Sequence, residues 1–398
     1  MTGSGGRPSN RRRLKETGAC DYQMPASRAR HRGKVRDMLM RAWLVVSCFA
    51  ATLVFASAPA SAQFYKNKTL TILVNYGVGG NADTEARVYQ HYLPRYIAGN
   101  PTVIIRNTPG AGGAAAMNQL GLNIGSQADG LTAGYFTTSA TQSLVDDPGL
   151  RVKLYDFNVI IAARGWNVVY ARRDIAPGGL AKPADIAKAK NIYVGGYARG
   201  TSHDTRLRLA LEILGLPYPM VTGFQGTAQI NKAMFQNEVN FTGSSMPGYQ
   251  TQVIPQIINP GIGTVIFHFP VIGPDGSPAG NPALERAGIL TFDKVYAQAF
   301  GRPPSGRKFD ALLLMNDLST KLQRMIVLPK GAPSEAVDAL RQALDGVGRD
   351  KDFIEDHRRI TGEEPDLVKA ELIAPLFERM RHVDPEITRV LKESVGSD

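Results

Sequence analysis

The sequence predicts an α/β protein of two lobes, each a mixed β-sheet flanked by helices, with the second lobe inserted into the first. Three observations carry this expectation. The chain has 398 residues, 43% of them hydrophobic and 20% charged, enough to fill two sizeable cores. Short apolar runs rich in strand formers alternate with helical stretches. The unit strand, glycine-containing loop, helix recurs four times, at 70–97, 102–120, 191–214 and 221–236.

The first two units organise the rest. Leu70–Tyr76 is a strand, Gly77-Val78-Gly79-Gly80-Asn81-Ala82-Asp83 a loop, and Thr84–Ile97 a helix with an apolar stripe through Ala86, Val88, Tyr89, Tyr92, Leu93 and Tyr96. Asn81 and Asp83 both suit N-cap positions. Thr102–Arg106 is the second strand, followed by Asn107-Thr108-Pro109-Gly110-Ala111-Gly112-Gly113 and the helix former Ala114–Leu120. Two such units side by side place two helix N-termini at one sheet edge. Free N–H groups and the macrodipole make such ends attractive to anions. The structural alternative for each loop is a tight strand-to-helix turn.

Further strands are expected at Ala133–Thr137, Phe157–Ala163 and Asn167–Ala171, with Thr138–Thr141 as small hydroxyl residues at a strand end. Pro183–Lys190 reads as a short helix. The third unit runs from Asn191 through Tyr197–Asp204 to the helix Thr205–Leu214. Arg199, Thr201 and Ser202 could hold a second anionic group, or form a capped helix start beside a solvated arginine. The fourth unit runs from Val221 through Phe224-Gln225-Gly226 to the helix Ala228–Gln236. Val239–Ser245, Thr264–Phe269 and Leu322–Leu328 are strands, Pro270–Pro282 an irregular loop, and Leu284–Thr320 an unassigned insertion of helix and loop. Amphipathic helices are expected at Ser334–Leu344, Pro365–Arg381 and Pro385–Val395. The resulting division is 1–62 leader, 63–168 with 270–398 as lobe 1, and 169–269 as lobe 2.

The formal charge of +11 does not mark a nucleic-acid surface. Residues 1–41 hold 11 of the 46 Lys/Arg and 3 of the 35 Asp/Glu, which leaves 35 basic against 32 acidic residues elsewhere. Ala42–Ala56 is an apolar run between Arg41 and the small-residue pattern Ala60-Ser61-Ala62, the form of a cleaved secretory signal ending near Ala62/Gln63. Periplasmic export is the expected outcome. Cys20 and Cys48, the two cysteines, both fall in this leader, so the exported chain has no disulfide and no thiolate site. Val45-Val46-Ser47-Cys48 loosely resembles a lipidation site but has too short an apolar run before it.

Several chemistries are missing from the sequence. It contains no G-x-x-x-x-G-K-[ST], no H-E-x-x-H and no G-x-S-x-G. His91, His203, His268, His357 and His382 lack metal-ligand spacing. Gly77-x-Gly79-x-x-Ala82 matches the dinucleotide fingerprint, but Arg106 and Asn107 stand where the ribose-binding acid belongs. An NADP-dependent oxidoreductase is therefore the competing enzyme reading. No cofactor, metal or catalytic residue is otherwise expected.

Five segments together resemble the substrate-binding proteins of tripartite tricarboxylate transporters, the Bug or TctC family. They are Gly79-Gly80-Asn81-Ala82-Asp83-Thr84-Glu85-Ala86-Arg87, Asn107–Gly113, Ala128-Asp129-Gly130-Leu131-Thr132, Gly200-Thr201-Ser202 and Phe224-Gln225-Gly226. The resemblance implies a type II-like periplasmic-binding-protein fold that closes on a small carboxylate. It implies that backbone groups at Gly79, Gly80, Asn81, Ala82, Pro109, Gly110, Ala111 and Gly112 hold one end of the ligand; Asp83 and Asn107, in the same two loops, are candidate site residues with them, Asp83 by ordering the first loop. Thr201, Ser202, Phe224 and Gly226 would serve the other end, where Arg199 is a candidate from its place in the same loop rather than from the resemblance. It further implies a membrane permease as partner; a subunit that presents its ligand to a signalling receptor is a third reading that stays open beside it, and a monomer is expected. Gly77-Val78, Phe224-Gln225 and Thr242 depart from the family's usual residues.

Overall fold

The computed structural model describes residues 64–125, 127–137 and 140–396. The leader, both cysteines, the expected cleavage point, Thr138 and Ser139 lie outside the described residues. None of the described helices is long and apolar enough to cross a membrane.

The chain opens with β1 (Thr69–Val74), α1 (Asn81–Tyr96), β2 (Thr102–Asn107), α2 (Ala114–Gly121), β3 (Thr132–Thr137), α3 (Ala140–Leu144) and β4 (Asn158–Arg164). It crosses at Gly165-Trp166 into β5 (Asn167–Arg172), β6 (Val194–Gly195), α4 (Ser202–Leu214), β7 (Met220–Val221), α5 (Thr227–Phe235) and β8 (Phe241–Ser245). A single turn α6 (Met246–Gly248) runs into a π-helical stretch, Tyr249–Ile258, before β9 (Gly263–His268). Pro270–Pro282 is not wholly irregular: β10 (Val271–Ile272) and β11 (Pro278–Ala279) pair across it. The unassigned insertion is mainly helix, as α7 (Pro282–Arg286), α8 (Phe292–Phe300) and α9 (Arg307–Lys321). The chain ends with β12 (Arg324–Leu328), α10 (Ser334–Val347), α11 (Lys351–Thr361), β13 (Asp366–Lys369), α12 (Ala370–Arg381) and α13 (Pro385–Gly396).

Two mixed sheets result. The first has the order β13-β4-β12-β3-β1-β2, and the second β7-β6-β8-β5-β9. β1 pairs in parallel with both β2 and β3, so the loops after β1 and β2 leave the same edge. β12 returns from late in the chain to lie antiparallel between β3 and β4. Asn167 and Val168 pair with Ser245 and Ser244, so β5 belongs to the second sheet from its first residue.

The periodicity explains the packing. Ala82, Ala86, Tyr89 and Leu93 recur one helical turn apart on α1 and are buried against α10, α11 and the first sheet. Burying a side chain the size of Leu93 contributes about 1.5–3 kcal/mol. A second apolar core is continuous from Leu73 and Phe136 in the first sheet to Val169 and Phe267 in the second, through Leu207 of α4, Leu312 of α9 and Leu391 of α13. A third lies beneath the far face of the second sheet around Tyr170, Met234 and Val253.

Two further elements differ from the sequence reading. The expected helix Pro365–Arg381 begins as a strand, because Leu367 and Val368 pair with Ala163 and Ala162 of β4. The sequence reading has no helix at α11, yet Asp350 caps one there through the N–H groups of Asp352 and Phe353, and Gly362 ends it at φ +83°.

Candidate functional site

A cavity of about 250 Å³ lies where the edges of the two sheets meet. From the side of the first sheet it is lined by Tyr76–Ala82, Thr137, Gln323 and Arg324. From the side of the second it is lined by Asn167, Tyr197, His203, Gln225–Gln229, Ser245 and Gln252.

The first wall is built by the β1-to-α1 loop. Gly79 sits at φ +75°, a left-handed conformation that favours glycine. Its N–H donates to Asp83 Oδ2 at 2.9 Å, and the same oxygen accepts from Arg87 Nε at 3.0 Å. Burial alone would raise the Asp83 pKa, but the bonds from Arg87 and Gly79 outweigh it and hold the carboxyl below its ordinary range. Asn107 Nδ2 donates to Tyr76 O at 2.9 Å and so fixes the start of the loop. Asn75 Nδ2 donates to Thr137 O, and Thr137 N to Asn75 Oδ1, which locks the ends of β1 and β3 together. α1 then starts at Gly80 with no side-chain cap, its N-terminal turn at the cavity.

The second wall has the same design. α5 starts after Gly226, also without a side-chain cap, and Gly226, Thr227, Ala228 and Gln229 all line the cavity. Thr227 Oγ1 lies 3.3 Å from Tyr197 Oη and 3.4 Å from Ser244 Oγ. The His203 ring is held on both sides, Nδ1 at 2.9 Å from Asp204 Oδ1 and Nε2 at 3.1 Å from Gly243 O. Two uncapped helix N-termini, one from each sheet, therefore border one cavity. Each carries roughly half a positive charge.

The walls touch. Gln252 Nε2 donates to Asn81 Oδ1 at 3.2 Å, and the Tyr76 and Tyr197 rings meet edge-on at 6.4 Å. No Asp, Glu or Lys is among the lining residues, and the single charged side chain there is Arg324. Arg324 is 5% exposed and its Nε donates to Glu85 Oε2. Glu85 Oε1 lies 3.3 Å from His357 Nε2. Burial would raise the Glu85 pKa, but Arg324 and His357 bring it below its ordinary value.

The residues singled out from the sequence divide into two groups. Gly79, Gly80, Asn81, Ala82 and Gly226 line the cavity, and Asp83 and Asn107 brace the first loop behind it. Pro109, Gly110, Ala111, Gly112, Arg199, Thr201, Ser202 and Phe224 are not among the lining residues. A Cβ on Gly112 would lie 2.6 Å from the Thr201 methyl and 3.2 Å from Ala198 Cβ, so this loop packs directly against the second lobe. Thr201 is the N-cap of α4, and Ser202 Oγ accepts from Thr141 Oγ1 at 2.8 Å and from Ser319 Oγ at 3.0 Å. Phe224 is half-buried against the third core, and Arg199 is exposed. Thr242 donates to Gly195 O and is also outside the lining.

Sequence reasoning missed Tyr76, Thr137, Asn167, Tyr197, His203, Gln252, Gln323 and Arg324 as lining residues. Most come from distant strand ends that no local motif marks. Arg324 carried one signal, a cation interrupting the apolar run Leu322–Leu328.

The exposed Arg106 lies outside the cavity, and the space is small for a dinucleotide against the 300–1,000 Å³ of ordinary cofactor and ligand sites. Among the described residues no group of His, Cys, Asp or Glu is placed to hold a metal ion.

No family model matches the chain, and no curated protein matches it. Solved structures do. The periplasmic binding protein BugD is 20% identical, with a TM-score of 0.60 over 82% of this chain and 97% of its own. MatC (Rpa3494) from Rhodopseudomonas palustris with bound malate is 16% identical, with a TM-score of 0.57 over 82% and 98%. R. palustris Rpa4515 with adipate is 18% identical, with a TM-score of 0.57 over 82% and 97%. The fold is that of the two-lobed periplasmic binding proteins.

Proposed function

We propose that this chain is an extracytoplasmic solute-binding protein that captures a small mono-, di- or tricarboxylate for the permease of a tripartite tricarboxylate transporter. It acts as a monomer in the periplasm after cleavage near Ala62/Gln63, and its two lobes are 63–166 with 270–398 and 167–269, the first crossing moved back from 168/169 because β5 pairs in the second sheet from Asn167. The carrying observation is the pair of uncapped helix N-termini, α1 and α5, facing one cavity that has no acidic side chain in its lining. Orphan N–H groups and aligned peptide dipoles favour an anion or a polar oxygen at each end. The neighbours in fold bound to malate and adipate support a carboxylate as that anion. His203 supports binding rather than catalysis, because both ring nitrogens are already engaged with Asp204 and Gly243 O.

Thermal-shift screening of the purified protein against small carboxylates and matched uncharged solutes tests this reading. It expects stabilisation by one or more carboxylates that grows with ligand concentration. Stabilisation by an uncharged solute and by no carboxylate rejects it.

A further inference from the structure

We propose that Arg324 reads the ligand's charge: its guanidinium takes one carboxylate at the first-lobe end of the cavity, and the second lobe takes an uncharged polar end. This deepens, and rests on, the carboxylate reading above.

The geometry is specific to this side chain. A guanidinium carries five N–H donors in a fixed plane. Arg324 Nε is given to Glu85, while Nη1 has no hydrogen-bond partner among the described residues although it is buried. Glu85 is occupied on its other oxygen by His357, so it anchors the arginine from behind. Arg324 opens β12 directly opposite Thr137, itself a lining residue. At the crossing between sheets, a Cβ on Gly165 would lie 2.6 Å from Gln323 Cγ and 2.9 Å from Nη1, so any side chain there would crowd the guanidinium. A buried donor without an acceptor is costly, whereas a carboxylate meets a guanidinium edge in paired, charge-assisted bonds.

The second lobe offers no equivalent. Its lining is Gln225, Gln229 and Gln252 amides with Thr227 and Ser245 hydroxyls, and His203 is closed between Asp204 and Gly243 O. A second full charge there would lose its hydration for no counter-ion. The partial charge of the α5 N-terminus suffices for a carbonyl or hydroxyl oxygen.

The test is calorimetry on the purified protein with each dicarboxylate from malonate to adipate, its monoamide and its diamide. For any chain length that binds, the monoamide is expected to bind at least tenfold tighter than the diamide, and no more than tenfold weaker than the dicarboxylate. The Glu85→Gln/Arg324→Gln double variant removes both buried charges together and leaves neither unpaired. It is expected to lose at least tenfold in monoamide affinity. Smaller discrimination against the diamide, a dicarboxylate more than tenfold tighter than its monoamide, or a folded double variant with unchanged affinity would each overturn the inference. The wild-type comparison stands whether or not the variant folds. Binding by no member of the series overturns this inference, while the carboxylate reading stands or falls separately with the thermal-shift screen.

Discussion

Asp83 braces the loop of the proposed site from outside the cavity lining. Its buried carboxylate holds the Gly79 N–H and is held by Arg87. We expect Asp83→Ala to weaken binding by loosening the first loop and to cost about 1–3 kcal/mol of stability, as for a lost buried charge-assisted bond. Calorimetry with a thermal melt checks this, and tighter binding at unchanged stability would exclude the bracing role. Gly112 poses the opposite question. Its φ of +61° and the Thr201 methyl 2.6 Å from an added Cβ make Gly112→Ala a strained change, worth about 1–3 kcal/mol. The melting temperature should fall while the affinity of the folded protein holds. A drop in affinity at constant stability would restore the second glycine loop as a ligand contact. The first loop was legible from its residues because Gly79-Gly80-Asn81 opens a helix locally. The place of the second loop was not, because Ala198 and Thr201, which cover it, are more than eighty positions away in the chain.

At the scale of elements, α9 ties the two sheets together. Asn316 accepts from the buried Arg206 at 3.0 Å and donates to Pro270 O at 2.7 Å, and the Gly165 N–H donates to Thr320 O. Burial pushes the Arg206 guanidinium down to about 10. Asn316→Ala leaves that guanidinium without this acceptor and should lower the denaturant midpoint, at a cost of about 1–3 kcal/mol, while leaving the cavity lining intact. An unchanged midpoint would show that α9 does not bind the sheets. The sequence marked α9 poorly. Its buried face includes Asn316, Asp317 and Ser319, polar residues that find long-range partners in the folded chain, so no clean apolar stripe appears.

The buried group linking α1, β12 and α11 also sets a pH dependence. Burial drives the Glu363 carboxyl up to about 7, so the native state holds its proton between 4.5 and 7 where the unfolded chain does not. His357 is raised above 6.5 because its bond to Glu85 outweighs its burial, and it acts in the same sense. Stability contributed by both is present at low pH and lost as pH rises through these values. Glu85, lowered in the folded state, has the opposite sign and loses its contribution below about 4.5. Thermal melts should therefore show stability rising from pH 8 to about 5 and falling below it. A monotonic rise toward alkaline pH would contradict the assignment.

For the whole molecule, the decisive feature is the apolar core that runs unbroken from Leu73 and Phe136 to Val169 and Phe267. Lobes joined this way share their largest source of stability, so scanning calorimetry should give a single cooperative transition. Two resolved transitions would mean that the lobes fold separately. The sequence made the two-lobed α/β plan readable because each strand, glycine loop and helix unit is a local pattern. It could not reveal that α4, α9 and α13 fuse the lobes on one side, since that depends on which amphipathic faces meet. Nor could it place Arg324, which reaches the cavity only because β12 inserts between β3 and β4.

The central claim is that helix N-termini from both lobes grip one negatively charged solute. A crystal structure of the protein with its tightest-binding carboxylate tests it most directly. The account expects carboxylate oxygens within hydrogen-bond distance of the backbone N–H groups of Asn81 and Ala82, with the other end of the ligand against 226–229. A carboxylate bound elsewhere, or held there by side chains with both helix ends untouched, would contradict it.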